Sequence, residues 1–237
     1  MPTYTHGGDI WTHSGVLDFS ANLHPLGMPP QVAQAAREAV TEATHYPDPL
    51  CRELRAAIAE RDGVTAEQAI CGNGAADLIF RLCLTLQPRH ALVTAPTFSE
   101  YEEGLRLAGC AVERYQLPAE RQFDLDASIL EAIVPEVDLL FLCCPNNPTG
   151  RLIGRDLLEQ ILCRCAETQT RLVLDECFID LTDGSGMACA VDGNPHLFLL
   201  RAFTKTYAVP GLRLGYGLCS DSVLMERLYD GAQPWSV

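Results

Sequence analysis

At 237 residues, 48% hydrophobic and 20% charged, the chain has the make-up of a globular protein of one large domain or two small ones. A net charge of −14 argues against nucleic acid and anionic membrane as partners, since both need a basic surface. A bound phosphate would have to be held locally, by helix N-termini and a few placed cations.

Residues 1–30 are rich in Gly, Pro, His and Asn with little periodicity, and read as an N-terminal arm before the domain proper, residues 31–237. Residues 31–43 place Val32, Ala36, Ala39, Val40 and Ala43 on one helical face, and Leu50, Leu54, Ala57 and Ile58 predict a second helix. A strand at Ala69–Cys71 leads through a glycine turn to a nearly all-apolar helix, Ala75–Leu86. Then come a strand at Ala91–Val93, a helix over 99–108, a strand from Val112 to Leu117 and a helix over 126–133. Val137–Cys143 reads as a fully buried strand, and residues 154–166 as a helix striped by Leu158, Ile161, Leu162 and Cys165. Further strands fall at Arg171–Asp175, Leu197–Leu200 and Leu214–Cys219. Apolar strands alternating with helices predict an α/β fold: a mostly parallel sheet flanked by helices on both faces. Ligands of such sheets sit beyond the carboxyl ends of the strands.

Eleven cysteines invite disulfide and metal readings, and the pattern argues against both. The count is odd, many cysteines lie in apolar runs, and Cys163 and Cys165 do not share a helix face. They read as reduced core thiols of a cytoplasmic protein with no metal site. Met1–His6 lacks a basic stretch followed by an apolar one, so no signal peptide is expected. No apolar run reaches the roughly 18 residues of a membrane span.

Four places carry chemistry. Gly72-Asn73-Gly74-Ala75-Ala76-Asp77 joins a strand to a buried helix. Taken alone it reads first as a plain turn, but its glycines and free N–H groups also suit a phosphate. Pro145-Asn146-Asn147-Pro148-Thr149-Gly150 stiffens the end of a buried strand and presents the Asn147 amide as a donor. Asp175 ends another buried strand, where a carboxylate needs a partner. A protonated pyridine nitrogen would serve; a magnesium site of the nucleotide-hydrolase kind would need a phosphate loop that this chain lacks. Lys205 follows the apolar run 196–200, with Arg213 after it. Taken alone Lys205 is an ordinary surface lysine; a carbonyl cofactor would use its amine covalently and Arg213 to balance a phosphate.

In this order Gly72-Asn73-Gly74, Pro145–Gly150, Asp175-Glu176, Thr204-Lys205 and Arg213 resemble the class I/II aminotransferases, fold-type I pyridoxal-phosphate enzymes, over nearly the whole chain. The resemblance implies the large domain of that fold. It implies Lys205 as the covalent anchor of pyridoxal 5'-phosphate, Asp175 on the pyridine nitrogen, and Asn147 on the cofactor's O3′ and the substrate carboxylate. It implies that Arg213, Thr204 and the N–H groups of Gly74, Ala75 and Ala76 hold the phosphate. An aromatic from Phe98 or Tyr101 would cover the ring, with Tyr101 favoured. Tyr46 matches the tyrosine that reaches the phosphate of a partner subunit, which implies a homodimer.

Within the family, His6-Gly7-Gly8-Asp9 and the segment around Asn22 resemble the substrate-binding arm of threonine-phosphate decarboxylases of cobalamin synthesis. Phe178 stands where histidinol-phosphate aminotransferases usually carry tyrosine. The resemblance therefore implies a small phosphorylated amino-acid substrate and decarboxylation of L-threonine O-3-phosphate, with His6, Gly7, Asn22 and Asn147 as substrate contacts. Histidinol-phosphate transamination is the alternative, and a truncated cofactor-binding module without turnover is the alternative of another class. Two departures stand out. Ala202 replaces a Ser or Thr found in many relatives. The chain also ends at Val237, where family members continue for roughly a hundred residues, about one small domain. The expectation is that the C-terminal small domain is missing.

Overall fold

Apolar runs become strands buried on both faces. In the computed structural model, which describes residues 6–13 and 15–237, the strands are β1 Ala69–Gly72, β2 His90–Ala95, β3 Ala111–Gln116, β4 Leu139–Cys143, β5 Arg171–Asp175, β6 Leu197–Ala202 and β7 Gly215–Leu218. They form one seven-stranded sheet in the order β1-β7-β6-β5-β4-β2-β3. Neighbours from β6 to β3 pair parallel; β7 pairs antiparallel with both β1 and β6. The mostly parallel sheet expected from the sequence is the one observed.

The helices are α1 Pro30–Ala39, α2 Arg52–Asp62, α3 Gly74–Leu86, α4 Glu100–Leu107, α5 Ile129–Ala132, α6 Arg155–Thr168, α7 Phe203–Thr206 and α8 Ser222–Asp230. Side chains alternate across each strand, so β4 sends Leu140 and Leu142 to one face and Leu139, Phe141 and Cys143 to the other. The first face packs with Ile58 of α2 and Leu158, Ile161 and Leu162 of α6. The second packs with Leu78, Ile79 and Leu82 of α3, Tyr101 and Leu105 of α4, and Leu224 and Leu228 of α8. Fully burying each such leucine is worth about 1.5–3 kcal/mol. This two-sided burial explains why β4 and β5 lack polar alternation.

Helix α7 is additional to the expected elements, and three others also differ from expectation. The helix over 31–43 stops at Ala39, continues as a single 3-10 turn, and buries none of its residues; Val40 is 71% exposed. Of its apolar stripe, Val32 and Ala36 are partly buried, and Ala39, Val40 and Ala43 are exposed. The helix over 126–133 shrinks to α5, because the Asp126 carboxylate takes the Ser128 N–H and hydroxyl and holds the chain in a turn. Helix α8 is additional to the elements expected. Asp221 caps it by accepting the Val223 and Leu224 N–H groups, and Leu224, Met225 and Leu228 become buried.

The arm contains no helix or strand over residues 6–13 and 15–29; residues 1–5 and 14 of the expected arm lie outside the described residues. It is pinned at two points: the Gly8 N–H donates to the Ser20 hydroxyl at 2.8 Å, and the His24 N–H to the Lys205 carbonyl at 3.1 Å. No helix among the described residues is long and apolar enough to cross a membrane.

Candidate active site

The carboxyl ends of β4, β5 and β6 and the N-terminus of α3 open on one cavity. Strand order produces it. The chain leaves β2 toward β3 on one side and returns to β4 on the other, which separates the loops beyond the strands.

Two glycines let the α3 end of the cavity close. Gly74 has φ +80°, a backbone that side chains resist, and a Cβ there would lie 2.6 Å from the Arg213 Nη2. The guanidinium thus lies against the first turn of α3. A Cβ on Gly215 of β7 would lie 2.6 Å from the Ala75 nitrogen, so β7 and α3 meet backbone to backbone. Gly74, Ala75, Ala76, Thr204 and Arg213 all border the cavity. The helix N-terminus and the cation together make a seat for an anion.

Asp175 ends β5 in register with Cys143 of β4, and is 4% exposed. Its Oδ2 accepts the Tyr101 hydroxyl at 2.6 Å and its Oδ1 the Cys177 N–H at 2.9 Å. Lys205 lies across the cavity on α7, its Nζ 5.8 Å from the centre of the Phe178 ring. Burial lowers the Lys205 pKa, and the Arg213 charge acts in the same direction, against the pull of Asp175. A lysine so placed has more neutral amine at a given pH, and neutral amine is the nucleophile.

Asn147 borders the cavity. Its neighbour Asn146, for which the sequence suggests no separate role, braces that turn. Its Nδ2 donates to the Pro96 carbonyl at 3.0 Å and to the Thr149 hydroxyl at 2.9 Å, and its Oδ1 accepts the Thr97 hydroxyl at 2.9 Å. These bonds tie the Asn147 loop to the loop that carries Phe98.

The aromatic assignment needs correction. Phe98 borders the cavity; Tyr101, favoured from the sequence, is 0% exposed behind it and turns its hydroxyl to Asp175. Helix α4 begins at Glu100, so Tyr101 points into the sheet and stacks on Phe141, with centroids 4.8 Å apart. Cys143, Cys177, Phe178 and Ala202 also border the cavity, and the two thiols are site residues that the sequence pattern does not reveal. Burial raises both thiol pKa values, and the Asp175 charge adds to it, so both stay neutral.

The remaining sequence candidates are not brought into the cavity. Tyr46 is 77% exposed and stacks on Trp235 at 4.5 Å. His6 meets Glu100, Nε2 to Oε1 3.0 Å, and Gly7 lies against Ser20. Asn22 is exposed.

The parallel-rich sheet thus presents a lysine, a buried aspartate and an anion seat at its strand ends. The pattern of the family "Aminotransferase class I and II" matches residues 14–237, and the chain belongs to that family. Threonine-phosphate decarboxylase of Salmonella typhimurium is 42% identical over 241 residues, covering 98% of this chain and 66% of the relative. Among solved structures, histidinol-phosphate aminotransferase from Clostridium acetobutylicum superposes with TM-score 0.85 at 28% identity, covering 94% of this chain and 66% of the other. L-threonine-O-3-phosphate decarboxylase from Porphyromonas gingivalis gives 0.80 at 26% identity, covering 92% and 64%. The chain thus spans just under two thirds of the length of each of these relatives.

Proposed function

We propose that the cavity binds pyridoxal phosphate and that the chain serves the decarboxylation of L-threonine O-3-phosphate to aminopropanol phosphate. The single observation that carries the reading is the convergence of Lys205, Asp175, Arg213 and the α3 N-terminus on one cavity. The likeness to the Salmonella decarboxylase supports the choice of reaction.

The residues suit the cofactor. A cradle that a Gly74 Cβ would fill, closed by Arg213, matches a phosphate dianion. Bound there, pyridoxal phosphate supplies an electrophilic aldehyde and a ring that draws electrons from the substrate's α-carbon. Arg213, Thr204 and the first N–H groups of α3 hold the phosphate. The buried negative charge of Asp175 favours a proton on the facing ring nitrogen. Phe98 covers the ring, and Asn147 donates from the adjacent turn. Phe178 packs at the same edge and donates nothing, which leaves Asn147 as the main side-chain donor there. Lys205 Nζ would hold the cofactor covalently when it is bound, and its amine, at the cavity wall, would deliver a proton to the substrate's α-carbon as CO₂ departs. Across the reaction the substrate loses CO₂ and gains that proton, with no oxidant or reductant needed.

The arm would cap the substrate. Its backbone bond from His24 to Lys205 supports that placement, with His6, Gly7 and Asn22 as the proposed contacts. Tyr46, exposed at the surface, would reach the cofactor phosphate of a second copy in a homodimer. Buried free thiols around the site suit a reducing, cytoplasmic compartment.

Two substrate challenges test the reading in a form of the protein as long as its relatives. One supplies threonine phosphate, the other histidinol phosphate with 2-oxoglutarate. CO₂ from the first without glutamate from the second is expected. Glutamate without CO₂ would promote the aminotransferase alternative, and cofactor binding with neither product would promote the inactive module.

A further inference from the structure

A buried hydroxyl is costly unless it is bonded, so packing alone would select phenylalanine at position 101. Tyr101 is held on both sides: its ring stacks on Phe141 with 10° between the planes, and Phe98 meets it edge-on at 5.6 Å. The phenol has little freedom to rotate, and its oxygen lies 2.6 Å from Asp175 Oδ2. Burial and the Asp175 charge push the Tyr101 pKa well above its ordinary value, so the hydroxyl remains a donor at any working pH. The Cys177 N–H holds the other carboxylate oxygen at 2.9 Å. The two donors sit on opposite oxygens, with the Cys177 thiol as a further hydrogen-bond neighbour, so the carboxylate cannot turn about its Cβ–Cγ bond without losing both the phenol and the Cys177 N–H.

We propose that Tyr101 is a positioning residue whose hydroxyl fixes the plane of the Asp175 carboxylate and keeps a shared proton on the cofactor's ring nitrogen rather than on Asp175. The proposal rests on the cofactor reading and deepens it. A hydrogen bond donated to a carboxylate favours its charged form. Without that donor, a buried carboxylate competes better for the proton between it and a pyridine nitrogen. The neutral pyridine that results is the weaker electron sink. The other titratable groups around Asp175 are the Cys143 thiol on β4, the Cys177 thiol beyond β5 and Lys205 on α7. Both thiols are neutral, so neither supplies a charge that replaces the phenol. Tyr101 also links two parts of the site, since the ring that abuts Phe98 carries the hydroxyl that holds Asp175.

The test is nitrogen-15 magnetic resonance of the 237-residue chain loaded with pyridoxal phosphate labelled at the ring nitrogen. The parent should show a pyridinium resonance. Tyr101→Phe should move it toward neutral pyridine, by an amount equal to about a tenfold change in proton sharing, one pKa unit. Phe141→Leu removes the stacked ring but no hydrogen bond; it should lower the melting temperature and move the resonance less than Tyr101→Phe does. A Tyr101→Phe resonance identical to the parent's overturns the proposal, as does an equal movement in Phe141→Leu. A second measurement needs no variant: with ring-carbon-labelled tyrosine, the Tyr101 Cζ resonance should move when the cofactor binds, and an unmoved resonance also overturns the proposal. A parent that binds no labelled cofactor overturns the cofactor reading, and this proposal with it.

Discussion

Arg201 holds Glu176 through Nη2 at 2.8 Å and Nε at 3.2 Å, both to Oε2, one residue along the chain from Asp175. Its Nη1 reaches Asp62 of α2 at 2.8 Å, and the Tyr216 hydroxyl donates to the other Asp62 oxygen at 2.7 Å. The Met187 N–H completes the set on Glu176 Oε1 at 2.8 Å. The network clamps the ends of β5 and β6 to α2, and so fixes the two strands that deliver Asp175 and Lys205. Arg201→Met would leave two buried carboxylates facing each other without their cation. Urea unfolding should show a loss of about 3–5 kcal/mol, and a loss under about 1 kcal/mol would contradict the clamp.

Lys205→Met should stabilise the cofactor-free chain at neutral pH while abolishing activity. The fold lowers the lysine pKa, so below the ordinary lysine value the unfolded chain binds the proton more tightly than the folded one. The lysine's penalty is therefore present at neutral pH and fades as pH rises toward its unfolded value. The melting temperature of the variant should exceed that of the parent at about pH 7, with the gap narrowing toward about pH 10. A gap that widens with pH would show that the sign is wrong.

Much of this arrangement is legible in the amino-acid sequence. β4 and β5 are continuous apolar runs, and a charged residue closing such a run must have a partner, which singles out Asp175. The direction of β7 is not legible, because side-chain period is the same in parallel and antiparallel strands. The choice between Phe98 and Tyr101 goes astray for a related reason. Both lie at the entry to α4, and only the angle at which the helix starts decides that Phe98 faces the cavity and Tyr101 the sheet. Asn146 and Asn147 are equally hard to separate, since their roles depend on which amide turns inward. Cys143 belongs to the core, as its apolar run implies, yet a strand-end residue can border a cavity as well. The Asp221 cap of α8 is a signal that the sequence does carry, an aspartate just ahead of an apolar stripe.

Asp175→Asn should harm turnover far more than cofactor binding. The amide oxygen can still accept from the Cys177 N–H while the amide Nδ2 donates to the Tyr101 oxygen, so shape and packing persist. The charge that favours a protonated ring nitrogen is lost. Turnover should fall on the order of 10²–10³-fold, as when a preorganised charge contact is removed, with occupancy changed only a few-fold. Equal turnover in variant and parent would refute the role assigned to Asp175.

Gly74→Ala should weaken binding of the phosphorylated cofactor selectively. The added Cβ meets Arg213 Nη2 at 2.6 Å and forces a side chain onto φ +80°. Displacing one charge-assisted contact should raise the dissociation constant for pyridoxal phosphate about tenfold or more. Pyridoxal, which lacks the phosphate, should bind variant and parent alike. An equal loss for both ligands would place the damage elsewhere than at the phosphate seat.

The proposed covalent anchor is the most direct point of attack, because Lys205 is the sole lysine of the chain. The purified chain is mixed with pyridoxal phosphate, followed by its absorbance at the violet edge of the visible, then reduced with borohydride, digested and mapped by mass spectrometry. The expected result is a violet-edge band that reduction removes, with the pyridoxyl group on the peptide containing Lys205. Labelling confined to the N-terminal amine, or no labelling of a folded sample, would contradict the assignment of this cavity as a pyridoxal-phosphate site.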